Sequence, residues 1–238
     1  MNILIIDYHS GNLASLVNSL GKASSNSNTK INIKVGNTPK EILLADKIIL
    51  PGVGDFSNCK KKLEGIDGMV ENLNEYVNNL QRPFLGICIG MQLMAKSSEE
   101  RGKHRGLGYF NANVCKIKPD KKKNVKIPHM GWNTINIKNR DIEGNFKSLN
   151  SNDFYFVHSF EMVCNNKSDV LASVNYGQEI VATILKNNIL GVQFHPEKSQ
   201  KKGLNFLSEF ISLLSFHILL FLQLHHTHYF LSILLNHS

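Results

Sequence analysis

The chain has 238 residues, 42% of them apolar and 19% charged, which are the proportions of a globular chain with room for a large core in one ordinary domain. Formal net charge is +8, and because Glu209 is the only charged residue from Leu204 onward, the first 203 residues carry +9. The densest basic runs, Lys60-Lys61-Lys62 and Lys121-Lys122-Lys123, have no interleaved aromatics and accompany no helix-turn-helix, zinc-finger or RNA-binding motif, which argues against nucleic acid and for solvated faces or the steering of an anionic substrate or acidic partner.

Ile3 to Ile6 is a continuous apolar run, the pattern of a strand buried on both faces. Ser10-Gly11-Asn12 breaks it, and Leu13 to Leu20 reads as a helix. Ile31 to Val35 predicts a second strand. Thr38-Pro39-Lys40-Glu41 has the form of a capping box with proline at the first helical position. Asp46 to Leu50 predicts a third strand, stopped by Pro51-Gly52-Val53-Gly54. Helices are expected near 57–65 and 70–81, a short strand over Phe84 to Ile87, and a helix over Met91 to Ser98. Strands then dominate, at about 113–118, 132–137, 153–157, 170–175, 180–185 and 189–194, with a tight hairpin turn at Lys186-Asn187-Asn188. Leu204, Leu207, Phe210, Ile211 and Leu214 form one apolar helical stripe. Alternating strands and helices imply an open α/β fold: a mostly parallel sheet with helices on both faces, plus an antiparallel β portion in the C-terminal half. No internal repeat and no second domain boundary is visible.

Met1 leads straight into the first strand, without a basic n-region or cleavage site, so a cytoplasmic location with free thiols is expected. The four cysteines form no C-x-x-C and have no zinc-site spacing. One has a special context. Gly86-Ile87-Cys88-Ile89-Gly90 sits where a strand meets a helix, with the spacing of a nucleophile elbow. The sharp turn needs flanking residues without side chains, lifts the thiol above the sheet edge, and aims a helix N-terminus at it, a setting that favours thiolate. Free cysteine, at a pKa of about 8.5, is otherwise only a few per cent thiolate at neutral pH. Alone, the spacing also suits a buried structural cysteine with incidental glycines.

A thiol nucleophile needs a base, an orienting acid and an oxyanion hole. Gln193-Phe194-His195-Pro196-Glu197 follows an apolar strand, which places His195 at a strand end with Glu197 able to orient its imidazole. Pro51-Gly52-Val53-Gly54 ends a strand that can neighbour the cysteine strand. Backbone N–H groups at Gly52 and Val53, with that of Ile89, could hold the negative oxygen of a tetrahedral intermediate; an ordinary glycine-proline loop reads the same way.

Together these motifs resemble the triad-type, class I glutamine amidotransferases. Gly86-Ile87-Cys88-Ile89-Gly90-Met91-Gln92 and Phe194-His195-Pro196-Glu197 match that superfamily in type, order and spacing. Asp7-Tyr8 with Gly11-Asn12-Leu13, Leu50 to Gly54, Pro128-His129-Met130-Gly131-Trp132-Asn133, Tyr155 to Ser159 and Pro196-Glu197-Lys198-Ser199 resemble the glutaminase subunits of imidazole glycerol phosphate synthases, of histidine biosynthesis. The resemblance spans about residues 1–214. It implies a flavodoxin-like glutamine amidotransferase fold and a glutaminase without cofactor or metal. Cys88 would attack the amide carbon of L-glutamine, His195 move protons and Glu197 orient it. Gln92 and Glu100 match positions that hold the amino-acid end of glutamine, Ser159 and Phe160 would add backbone contacts, and Trp132, Asn133, Tyr155 and Lys198 match positions facing the partner. That partner is a (β/α)₈-barrel cyclase, joined as a heterodimer. A barrel needs about 250 residues of its own, so it acts in trans. Other readings are a glutaminase for a different synthase, a γ-glutamyl hydrolase, and a pseudoenzyme that only activates a partner. The intact Cys88, His195 and Glu197 argue against the last.

Residues 215–238 depart from the family. Five of the ten histidines lie from His217 onward, among apolar residues. The run from Phe210 to Leu224 is short for a membrane span, which needs about 20 residues. His225, His226 and His228 lack a convincing metal spacing. The segment is expected to be a non-homologous extension.

Overall fold

The computed structural model describes residues 1–25, 30–120, 125–138 and 146–213. The expectations for Lys121 to Lys123, Leu214 and the 215–238 extension therefore lie outside the described residues. Among those described, no helix is long and apolar enough to cross a membrane, and no three His, Cys, Asp or Glu residues are grouped to hold a metal.

A nine-stranded sheet forms the centre, in the order β2-β1-β3-β4-β13-β12-β11-β8-β9. Strands β1 (Asn2–Ile6), β2 (Asn32–Gly36), β3 (Lys47–Leu50), β4 (Phe84–Ile87) and β13 (Ile189–Val192) pair in parallel. Strands β3, β4 and β13 are buried at every position, as mostly apolar runs of a sheet covered on both faces should be. Strands β12 (Glu179–Lys186), β11 (Val170–Asn175), β8 (His129–Ile137) and β9 (Asp153–His158) extend the same sheet antiparallel. The antiparallel part expected in the C-terminal half is thus mainly a continuation of the parallel sheet. A four-stranded sheet, β10-β7-β5-β6, lies beside it, from β10 (Phe160–Cys164), β7 (Phe110–Lys116), β5 (Ala95–Ser98) and β6 (His104–Arg105).

Helix α1 (Leu13–Ser24) packs with α6 (Gln200–Ser212). Helices α2 (Pro39–Leu44), α3 (Phe56–Glu64), α4 (Met69–Asn74) and α5 (Ile89–Leu93) form a second packed group. Right-handed crossovers from β1 outward to β2, then back past β1 to β3, place α1 and α2 on opposite faces. On α6 the buried residues are Gly203, Phe206, Leu207, Phe210 and Ile211, so Phe206 joins the sequence stripe while Leu204 is only half-buried. The end of α6 is tied down where Lys47 Nζ, 5.4 Å from the Phe210 ring, donates to the Leu213 carbonyl.

Three local expectations change. Met91 to Ser98 is not one helix: α5 stops at Leu93 and the chain enters β5, because Ala95 pairs with Phe110 of β7. The second half of the 70–81 segment is a π-turn over Glu75–Asn79. The Thr38 hydroxyl makes no capping bond; the Glu41 N–H bonds the Thr38 carbonyl at 3.0 Å, and the Glu41 carboxylate pairs with Lys34 at 2.7 Å. Proline at position 39 still opens α2 with its φ preset. The hairpin turn is as expected, with Asn187 at φ 52°.

Candidate active site

The elbow exists because two glycines let backbone pack on backbone. A Cβ at Gly86 would stand 2.7 Å from the Gly90 carbonyl oxygen, and one at Gly90 would collide with the Leu50 carbonyl of β3. Between them Cys88 takes φ 54° and ψ −110°, a strained conformation for a residue with a side chain. Its N–H is held by the Val192 carbonyl of β13 at 2.8 Å, and its carbonyl accepts from Gln92 N–H at 3.1 Å as α5 begins.

The parallel pairing β3-β4-β13 brings the remaining parts to the same sheet edge. His195 follows β13 and is 2% exposed. Its backbone N–H bonds the Tyr155 carbonyl at 2.9 Å, and its carbonyl accepts from the Ser199 hydroxyl at 2.6 Å, so the turn around Pro196 is pinned on both sides. Its Nδ1 donates to Glu197 Oε1 at 2.7 Å, and Cys88 lies near enough to the ring to act on its charge. Burial opposes a charged imidazole, but the Cys88 sulfur, through charge and hydrogen bond, and then Glu197 outweigh it and push the pKa up to about 10.

The 51–54 loop lies against the elbow, with Gly52 packed onto Ile89 and the Gly90 N–H. The Tyr8 hydroxyl ties it down by donating to the Pro51 carbonyl at 2.6 Å. The sequence reading gave Tyr8 no such role. The N–H of Ile89, in the first turn of α5, has no intrahelical carbonyl to bond, so it and the loop are the available oxyanion donors.

A cleft of about 410 Å³ opens over Cys88, lined by Val53, Gly54, Ile89, Gln92, Glu100, Ser159, Phe160, His195 and Lys198 among others. All the residues expected to bind substrate are therefore in one place. Glu100 accepts from the Phe56 N–H at 2.8 Å, and burial raises its pKa. The Ser159 carbonyl accepts from the Ile117 N–H at 3.0 Å, and both lone pairs of the Phe160 carbonyl are taken, by Gln92 and His158, so the Phe160 carbonyl is not free for a ligand. Gln193 is a site residue that the sequence reading quoted without a role: it is fully buried, and its Nε2 lies 3.6 Å from the Cys88 sulfur.

The four residues expected to face a partner divide. Trp132 is 47% exposed and is the cross-strand neighbour of Tyr155, with rings 6.1 Å apart, and Lys198 Nζ lies 5.7 Å from the Tyr155 ring. Met130, two residues back on the same face of β8, is 60% exposed. Asn133 points to the other face, as the alternation of a strand requires, and its amide is held by His129 and the Asn175 carbonyl. The basic run at 60–62 is structural: Lys60 pairs with Glu64, and Lys62 bonds the His9 carbonyl at 2.7 Å.

The family described as glutamine amidotransferase class-I matches residues 4–213. The chain is 42% identical over 216 residues to the imidazole glycerol phosphate synthase subunit HisH of Rhodopseudomonas palustris, covering 89% of this chain and 98% of that one. It is also 42% identical to the HisH subunit of Pelagibacter ubique, covering 90% and 100%. Among solved structures, a glutamine amidotransferase superposes with a TM-score of 0.63 at 17% identity over 88% of this chain and 99% of that one. Another, from Thermotoga maritima, does so with a TM-score of 0.55 at 15% identity over 85% and 78%. At such identities the superpositions speak for the fold, an α/β glutamine amidotransferase fold. The sequence relatives speak for the family: the chain belongs to the class-I glutamine amidotransferases, in the family of imidazole glycerol phosphate synthase subunits HisH.

Proposed function

We propose that this chain is the glutaminase subunit of an imidazole glycerol phosphate synthase, acting in the cytoplasm on L-glutamine and passing ammonia to a (β/α)₈-barrel cyclase that forms imidazole glycerol phosphate. The observation that carries the chemistry is the buried Cys88–His195–Glu197 array at the mouth of the cleft. The Cys88 thiolate attacks the amide carbon, and its electrons pass to the carbonyl oxygen, held by the Ile89 N–H and the Gly52–Val53 loop. As the tetrahedral intermediate collapses the C–N bond breaks, and His195 gives its proton to the departing ammonia. Water then attacks the thioester with His195 as base, releasing glutamate and restoring the thiolate. Glu197 holds the imidazole by its Nδ1 throughout. Gln92 and Glu100 hold the amino and carboxyl end of the substrate, with backbone N–H groups at Ser159 and Phe160.

The cyclase docks over Trp132, Met130, Tyr155 and Lys198. Exposed Trp132 and Met130 with half-buried Tyr155 beside one cation is the composition of an interface centre. A sealed contact there would keep ammonia from solvent and protonation. The test is reconstitution with the cyclase. Glutamine-dependent synthesis should vanish in Cys88→Ala while synthesis from added ammonium persists. Glutamine-dependent turnover surviving in Cys88→Ala would refute the mechanism, and turnover only with a different synthase would refute the assignment.

A further inference from the structure

A chain of hydrogen bonds runs from the inner face of β8 to the nucleophile, and its proton positions are fixed from one end. The Phe160 carbonyl has no proton to give, so His158 Nδ1, 2.8 Å away, carries one. Burial, aided by His129 and His195 and opposed by the Phe160 contact, brings the His158 pKa down to about 3, so the ring is neutral and its Nε2 is bare. The atom facing that Nε2 at 3.0 Å is His129 Nδ1, which must therefore carry a proton. His129 is also neutral, its pKa lowered by burial to about 4, so its Nε2 accepts from the Asn133 amide at 3.3 Å. Asn133 gives its other proton to the Asn175 carbonyl at 3.0 Å.

On the far side of the Phe160 carbonyl, Gln92 Nε2 donates to the second lone pair at 3.0 Å and also to Gln193 Oε1 at 2.9 Å. Gln193 Nε2 then reaches the Cys88 sulfur at 3.6 Å. Gln92 Oε1 is left buried and unpartnered among the described residues, on a side chain that lines the cleft. The His158–Phe160 contact also pins the corner where the chain leaves β9 in the large sheet for β10 in the small one.

We propose that His129 and His158 are positioning residues, which lock the Gln92 carboxamide with its oxygen free for a ligand and, through Gln193, tie the Cys88 sulfur to strand β8. The inference rests on the reading of the cleft as a glutamine site. It adds to that reading a link between the nucleophile and the strand that carries Trp132 on its opposite face.

Two substitutions at His129 separate positioning from packing. Its ring stacks on Phe156 at 4.7 Å and on Tyr176 at 4.0 Å. His129→Phe keeps those stacks and removes both nitrogens. His129→Gln keeps a donor and an acceptor and loses the stacks. In the full chain, His129→Phe should raise KM for glutamine at least tenfold and change the rate of Cys88 alkylation by iodoacetamide more than threefold. His129→Gln should stay within threefold on both. The reverse order, or equal effects, means the histidine only packs and overturns the proposal. Nitrogen-15 spectra of the unaltered chain give a second test that needs no variant: at pH 7 both imidazoles should be protonated at Nδ1 and bare at Nε2. A proton on Nε2 of either ring overturns the chain of bonds. If the unaltered protein hydrolyses no glutamine, the reading of the cleft fails, while the spectra and the alkylation rates still decide the positioning role.

Discussion

Cys88 holds a positive φ without a glycine's freedom, and it does so because the bonds on either side leave the backbone nowhere else to go. The sulfur is then fixed by what surrounds it, and although burial is the largest single influence on His195, Cys88 and Glu197 together outweigh it and raise its proton affinity. Glu197→Gln should therefore lower kcat by about two orders of magnitude, the low end of what a positioned acid–base group contributes. With one raising influence removed, the imidazolium should lose its proton at lower pH, moving the alkaline limb of the rate profile down; an unmoved limb in a pH–rate series would exclude this role. A second buried acid titrates in the opposite sense to most. Glu161 accepts a hydrogen bond from Gln178, yet burial raises its pKa to about 7. Its folded value lies above its unfolded one, so the native state binds the extra proton between about pH 4.5 and 7, and stability falls as pH rises through that window. Glu161→Gln should be near neutral at pH 5 and stabilising at pH 8.5, by on the order of 1–3 kcal/mol in urea denaturation. Equal effects at both pH values would mean that Glu161 is ionised in the fold.

The elements around the site owe their positions to close backbone contacts. Gly90→Ala places a methyl group in the Leu50 carbonyl, which forces β3 and α5 apart. That separation should cost several kcal/mol and remove glutaminase activity; a variant with an unchanged urea midpoint and normal turnover would show that the elbow can relax. Strand β4 and the glycines beside it were readable in the sequence, since a strand buried on both faces must be apolar throughout and an elbow must have glycines. The proposed triad was readable as a pattern for the same reason: Cys88, His195 and Glu197 each sit in a local motif. What sequence could not reveal depends on partners far along the chain. Ala95 to Ser98 has the burial pattern of a helix end and becomes a strand only because β7 lies beside it. Gln193 and His129 look like ordinary polar residues until the sheet brings Gln92 and His158 to them. Asn133 shares a motif with Trp132, but strand alternation sends it to the other face.

Across the whole molecule, three adjacent parallel strands deliver the 51–54 loop, Cys88 and His195 to one edge, and the antiparallel strands carry the exposed Trp132 face next to it. The family match ends at residue 213, and every site residue lies before it. Deletion of 216–238 should thus leave both glutamine-dependent and ammonium-dependent synthesis intact in the reconstituted complex; loss of the glutamine-dependent rate in a folded truncation would assign the segment a role in the site. The order of the sheet also governs when the enzyme can first work. Strand β13 is the last of the described strands to be made, yet it sits at the centre, between β4 and β12. Gln193, two residues before His195, follows Cys88 by 105 residues, so a ribosome adding about 5–20 residues per second leaves the thiol without the proposed base for roughly 5–20 seconds. During that interval β4 has an unpaired edge and the growing chain cannot cleave an amide. The thiol of the growing chain meets the proposed base only after β13 has been made and has paired with β4.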